Sequence, residues 1–351
     1  MKTIQQIFFF FAALLISVSC NKQVKNIDSL FTSERALQHT EMLLADDEFL
    51  GLVFRLMAVG DNLIVHEHGR EYSFSIINTN NNILSSRFAR FGQGPYEVLP
   101  QLMSPGILND SIITFFSIQR NALLYSNLKG DLLPRKKIDF DRSIGAMSMI
   151  PVSSDRYIAM GAFEGGKYAL LSENGEVLSF NFDYPMPLCG ANLTSPMHKF
   201  LAFQGTLQRR PDGGAFFFVA MSSEIFEIIE VDKNDNVRKV FKYHGRMAQF
   251  LPEGDGFNRT SVAIHRSSRM FFIDATATNN YIYLLYSNKI IEDGFHSARQ
   301  SNQVLVFDWQ GNPITRLLLD IEVSVIAVSE NDEYLFAYAN ELEKLVRFDL
   351  R

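Results

Sequence analysis

Along most of this chain, short runs of bulky apolar residues alternate with polar turns made of Asn, Asp and Gly. One unit recurs: a hydrophobic strand, a polar turn, then a second hydrophobic strand. It reads FSIINTNNNILSSRF from Phe74, LLYSNLKGDLLPRK from Leu123, ALLSENGEVLSF from Ala169, IIEVDKNDNVRKVF from Ile228 and VLVFDWQGNPITRL from Val304, and the chain ends on LVRFDLR, the first half of the same unit. Asn, Asp and Gly suit such turns because they reach positive φ at low cost.

Upstream of most copies lies another apolar strand introduced by a polar turn. These strands start near positions 61, 110, 155, 213, 279 and 332, at spacings of about 45 to 66 residues. Six strand–turn–strand–turn–strand units at that pitch predict the blades of an all-β, six-bladed β-propeller. A β-sandwich rarely repeats one hairpin six times, and a solenoid needs shorter and more even repeats. The last copy lacks an outer strand, so an N-terminal strand from EMLLADDEFL (41–50) is expected to close the last blade and remove exposed sheet edges. Two stretches, 244–270 and 289–302, lengthen the fifth unit. They are expected to frame a binding face, the alternative being ornamental loops.

The N-terminus stands apart from this pattern. Met1 and Lys2 precede a 12-residue apolar run, Ile7–Val18, too short to span a bilayer but suited to the core of a secretion signal. It ends in SVSC, which resembles the lipobox of bacterial lipoproteins, although Ser17 stands where that family favours Leu. The resemblance implies a lipidated Cys20 and a membrane anchor. An ordinary cleaved signal with an incidental cysteine is the alternative. The organisation expected is a signal peptide over 1–20, a linker over 21–40 and the propeller over 41–351. The stretch NKQVKN after Cys20 carries no acidic pair, which favours the periplasmic side of the outer membrane in a bacterial envelope.

Composition narrows the classes. Hydrophobic residues make up 47% and aromatics 13%, enough for a large β-rich core. The net charge of −6 and the absence of a Lys/Arg-dense segment argue against nucleic acid as a partner. With Cys20 set aside, Cys189 is the one remaining cysteine, so the fold has no internal disulfide. Cys189 reads as a small buried residue.

The segment RFGQGPYE (90–97) invites a phosphate-binding reading, which fails. No Lys-Ser/Thr pair follows, no third glycine stands where a dinucleotide site needs one, and no helix begins after Pro95. A corner between blades fits instead, with Gly92 and Gly94 permitting unusual dihedrals and Pro95 stiffening the exit. With Glu97 these residues resemble the G-x-G-P-x-E connector of six-bladed propellers of the TolB-like and NHL-like kinds, many carried by envelope lipoproteins. That resemblance implies ligand or protein binding more often than a reaction.

Candidate chemistry is sparse. In VHEHG, His66 and His68 lie two apart on a strand and share a face, as two metal ligands would; neutral strand-end histidines are the alternative. DKNDN (232–236) looks like a calcium loop but lacks the closing Glu. No G-x-S-x-G occurs, and no cofactor is expected. Arg209, Arg210, Arg259, Arg266 and Arg269 would suit an oxyanion, or inter-blade ion pairs. Trp309 marks either a partner surface or a covered blade edge. The function expected is a tethered binding or scaffolding propeller for an envelope protein, peptide or glycan. A hydrolase or lyase acting in the channel, with or without a metal, is the rival.

Overall fold

The computed structural model describes residues 26–45, 50–69, 71–94, 96–109, 111–129, 138–139, 145–186, 193–254 and 260–351. Cys20, Pro95, Cys189 and Arg259 lie outside these described residues.

Six antiparallel sheets account for nearly all the strands. Blade 1 comprises Leu52–Val59, Asn62–His68, Tyr72–Asn78 and Ile83–Arg90; blade 2, Leu102–Asn109, Ile112–Ser117, Ala122–Asn127 and Ile138–Asp139. Blade 3 comprises Ala146–Pro151, Arg156–Gly161, Tyr168–Ser172 and Val177–Asn181; blade 4, Gly205–Arg209, Ala215–Ala220, Ile225–Val231 and Val237–His244. Blade 5 comprises Phe272–Ala277, Tyr281–Tyr286, Ser301–Asp308 and Pro313–Val323; blade 6, Val325–Val328, Tyr334–Ala339 and Lys344–Asp349. The first strand of each blade neighbours the first strands of the blades on either side, so these six strands ring a central axis.

The strands read as continuously apolar, not alternating, because each blade is buried on both faces. In AFFFVA of blade 4, Phe216, Phe218 and Ala220 pack against blade 3, while Ala215, Phe217 and Val219 pack against blade 5. Six buried clusters result, one in each gap between neighbouring blades. The turns follow the chemistry expected of them: Asn82, Gly175, Asp235 and Gly311 all sit at positive φ between third and fourth strands. Asp232 and Asp308 accept backbone N–H bonds two and four residues on, so DKNDN and DWQGN are the same self-capped turn.

The ring closes as a propeller must, with a displaced strand. His39–Glu41 pairs antiparallel with Lys344–Asp349 and becomes the outer strand of blade 6. The closing strand thus lies at the start of 41–50 and just before it. The reading of 21–40 as a linker needs correcting over its described part. A 3₁₀ turn, Ile27–Leu30, is wedged between blades 4 and 5 with Ile27 wholly buried. Glu34–Leu37 then pairs in parallel with Arg316–Leu319 and covers the edge of blade 5. The polar residues of this strap hide it, because only Ile27 and Leu37 are fully buried while Leu30 and Phe31 pack half-buried between blades 4 and 5.

The connector over 90–97 is a corner, but its glycines serve another purpose than the expected dihedrals. Neither Gly92 nor Gly94 is at positive φ. Instead, the Glu97 carboxylate folds back over the loop and accepts the Gly94 N–H at 2.9 Å. A Cβ on Gly92 would meet the Glu97 carboxylate, so glycine leaves the room into which that carboxylate folds.

Between blades 3 and 4 lies a buried ionic cluster. Glu227 accepts hydrogen bonds from Lys167 at 3.1 Å, Lys239 at 2.9 Å, Tyr168 at 3.0 Å and His244 at 2.8 Å. Burial alone would raise the Glu227 carboxyl, yet Lys167, His244 and Lys239 together hold it well below the usual carboxylate range. Burial pulls Lys167 down to about 8 even so close to Glu227.

Two outcomes test these joints. Leu37→Ala should cost about 2–5 kcal/mol in chemical denaturation, as for a core leucine; a change within a few tenths would restore the linker reading. Glu227→Gln strands Lys167 without a counter-charge and should cost about 3–5 kcal/mol at neutral pH. Because the folded carboxyl titrates below its unfolded value, the wild-type advantage is whole above about pH 5 and shrinks as pH falls. An advantage unchanged in acid would contradict this account.

Candidate functional site

Strand direction alternates within each blade, so the connectors between blades emerge on the same face as the loops joining second to third strands. On that face a cavity of about 550 Å³ opens into the axis of the ring. Its wall draws on blades 1 to 4 and on α1, Pro196–Ala202. The size falls within the range of ligand pockets, roughly 300–1,000 Å³. Most of the wall is apolar, with Met103, Met147, Met160, Met221, Phe54 and Phe200 prominent.

The floor of the cavity is a guanidinium. Arg55, on the innermost strand of blade 1, crosses the axis to the opposite side. Its Nη2 donates to Thr206 Oγ1 of blade 4 at 3.3 Å and lies 3.3 Å from Asp274 Oδ1 of blade 5. Asp274 Oδ2 in turn accepts the Ile326 N–H of blade 6 at 2.9 Å. Burial raises the Asp274 carboxyl above its ordinary value, against the pull of Arg55 and two backbone N–H groups. Beyond this crossing the axis narrows to a space of about 150 Å³ to which all six blades contribute.

Three polar groups on the cavity wall have no hydrogen-bond partner among the described residues. Arg55 Nη1 and Ser148 Oγ are both buried and unsatisfied. His66 is the third, held between Phe54 and Phe74 at ring-centroid distances of 5.6 and 4.7 Å. Burial, and the charge of Arg55, push the His66 imidazole down to about 3, so the ring is neutral at physiological pH. Unpaired buried donors are costly and uncommon, about 1–3 kcal/mol each. Two such atoms, Arg55 Nη1 and Ser148 Oγ, belong to residues lining this cavity.

The expected histidines therefore both belong to the site, His66 inside and His68 at its rim beside Phe91. Among the described residues, however, no group of three His, Cys, Asp or Glu is placed to hold a metal ion. Among the described residues, the candidate arginines lie apart. Arg209 lines the narrow end of the axis, donating to the carbonyls of Arg210 and Pro211. Arg210 pairs with Asp212 and lies over Trp309, which is buried at a blade edge and donates to Thr278 O at 3.0 Å. Arg266 and Arg269 sit in the connector before blade 5, where the Arg266 carbonyl receives Glu292 N and Arg269 Nη1 reaches Asn288 O. The insertions 244–270 and 289–302 are on the cavity-bearing face, but none of their described residues lines the cavity. The hairpin Phe250–Glu253 with Ser261–Ile264 instead backs α1 from behind.

Sequence reasoning missed Arg55, Ser148 and the 182–204 insertion that carries α1. The helix had a legible start: Ser195 caps it by accepting His198 N at 3.1 Å, and Pro196 follows at the first helical position.

Six blades, an N-terminal strand closing the last, and a cavity on the axis define a closed β-propeller with an axial pocket. The profile of the TolB-like six-bladed propeller family matches residues 31–331, and the chain belongs to that family. No curated protein matches the chain significantly. Among solved structures, a member of the DUF4221 family from Bacteroides vulgatus superposes with a TM-score of 0.55 at 11% identity, over 91% of this chain and 97% of that one. A Bacteroides fragilis protein described as exported superposes with a TM-score of 0.52 at 10% identity, over 93% and 96%. At such identities the likeness concerns the fold alone.

The state of His66 can be read directly. Its imidazole carbon protons should show no titration shift between pH 5 and 8 in NMR; a midpoint near 6.5 would mean the ring is solvated and outside the stacked site described here.

Proposed function

We propose that this chain is an exported, membrane-tethered binding propeller whose ligand lodges in the axial cavity. One observation carries the reading: Arg55 Nη1 and Ser148 Oγ are buried without partners in a mostly apolar pocket that a neutral His66 also lines. A ligand supplying their partners would relieve the cost of leaving them bare. The apolar wall favours a peptide or other hydrophobic envelope ligand over a glycan.

A hydrolase or lyase finds less support in the same residues. A general base works best with a pKa near the operating pH, and His66 lies far below it. The apolar N-terminal run and the lipobox-like SVSC favour export and anchoring through Cys20. The structural similarity to a protein described as exported agrees with that direction.

The tether also bears on orientation. Ile27 N donates to Glu224 Oε1, and Glu224 closes the same blade 4 loop that sends Met221 into the cavity wall. Asn26, the first described residue, thus lies on the cavity-bearing face. Six residues from Asn26 to Cys20 span at most about 20 Å, so an acyl anchor would hold that face towards the bilayer.

The test compares wild type, Cys20→Ala and Gln204→Trp, the last narrowing the cavity mouth at an exposed position. Cys20→Ala should leave the membrane fraction for the soluble one. Wild type taken from its own envelope should carry a bound mass in native mass spectrometry that Gln204→Trp lacks. Continued sedimentation of Cys20→Ala would remove the anchor, and a mass indifferent to Gln204→Trp would remove the cavity as the site.

A further inference from the structure

The cavity also indicates what kind of molecule it takes, an inference that rests on reading it as the ligand site. Arg55 Nη1 can only donate, so the ligand must bring a hydrogen-bond acceptor to the cavity floor. Ser148 and neutral His66 can each donate or accept. The question is whether that acceptor carries charge.

The charges already present decide it. Arg55 is balanced by Asp274 at 3.3 Å. A second carboxylate, Glu67, belongs to the wall, its oxygens held by the Ser75 hydroxyl and the Gly51 N–H. Both carboxylates are almost fully buried, at 3% exposure each. The lining therefore has no surplus positive charge. A ligand carboxylate would leave water for an apolar space and meet two buried carboxylates with one guanidinium among them, a costly transfer. An uncharged carbonyl or amide oxygen would satisfy Arg55 without that penalty.

Above the floor, four methionines meet the body of the ligand. Their flexible, polarisable side chains accept varied apolar shapes. Phe54 and Met103 are both half-exposed at the mouth and extend the apolar lining outward. We propose that the axial cavity binds an uncharged, largely apolar molecule that presents a carbonyl or amide oxygen to Arg55 and Ser148.

Two fluorescent probes with one ring system separate the possibilities: prodan, a dimethylaminonaphthalene bearing a ketone, and the matching dimethylaminonaphthoate. Both are titrated at neutral pH into the intact mature protein, its Ser148→Ala form and its Gln204→Trp form, with anisotropy as the readout. Prodan should bind saturably, Gln204→Trp should abolish binding, and Ser148→Ala should weaken it about 3- to 10-fold, the worth of one hydrogen bond. The naphthoate should bind at least about tenfold more weakly than the ketone. A naphthoate that binds as tightly as prodan overturns the uncharged class while leaving the cavity in place as the site. Failure of both probes, or binding that ignores Gln204→Trp, overturns the cavity reading and this inference with it.

Discussion

Six sheets packed around an axis leave a tunnel between their innermost strands, and whatever crosses that tunnel decides what the molecule can hold. Here the crossing is the Arg55 guanidinium, which leaves blade 1 and reaches Thr206 of blade 4 and Asp274 of blade 5. Asp274 extends the link to the Ile326 N–H of blade 6. A cation in so apolar a place must be paired, so the position of Asp274 is fixed by that of Arg55. The bridge divides the tunnel into a wide cavity and a narrow end, and it leaves Nη1 facing the wide side without a partner.

Two other buried charges of this propeller, Glu227 and Glu224, are satisfied in a different way. Glu227 is surrounded by Lys167, Lys239, His244 and the Tyr168 hydroxyl. Glu224 likewise accepts from the Tyr286 hydroxyl at 2.6 Å, from Arg246 and from the Ile27 N–H. Both clusters lie between blades, away from the axis, and serve to join them. Arg55 does the same with Nη2 and stops short of it with Nη1. Within one fold, then, the same chemistry is closed where it joins blades and left open where a cavity meets it.

The blades were legible because their signal is local. Each hairpin needs an Asn, Asp or Gly at positive φ, and such residues stand at Asn82, Gly175, Asp235 and Gly311. The innermost strands were harder to see. GTLQR and AMSMIP are short and mixed, and blade 2 opens with LMSPGILN, whose Ser104 is at positive φ. Arg55 is hidden in LVFRLMAV, where one charge in an apolar run gives no hint that it crosses the axis. The spacing of His66 and His68 pointed to one wall of the cavity, since residues two apart on a strand share a face. It could not show Phe54 and Phe74 enclosing one ring. Arg209, Arg210, Arg266 and Arg269 drew attention by density in sequence, yet the ring distributes them among a channel end, a blade edge and a connector. A site assembled from first strands some fifty residues apart leaves no local trace.

Ring closure and the placement of the cavity are linked through the N-terminal strap. For His39–Glu41 to pair antiparallel with Lys344–Asp349, the chain must enter blade 6 from the end of the ring opposite the cavity. Glu34–Leu37 already runs that way beside blade 5, and Arg35 contacts the carbonyls of Asp349, Leu350 and Arg351 near the C-terminus. To reach that end the segment before it climbs the gap between blades 4 and 5, with Phe31 against Phe307 at 5.0 Å. Its start at Ile27 is thereby confined to the cavity-bearing face, beside Glu224. The geometry that seals the last blade is the same geometry that places Ile27 on the face where the pocket opens.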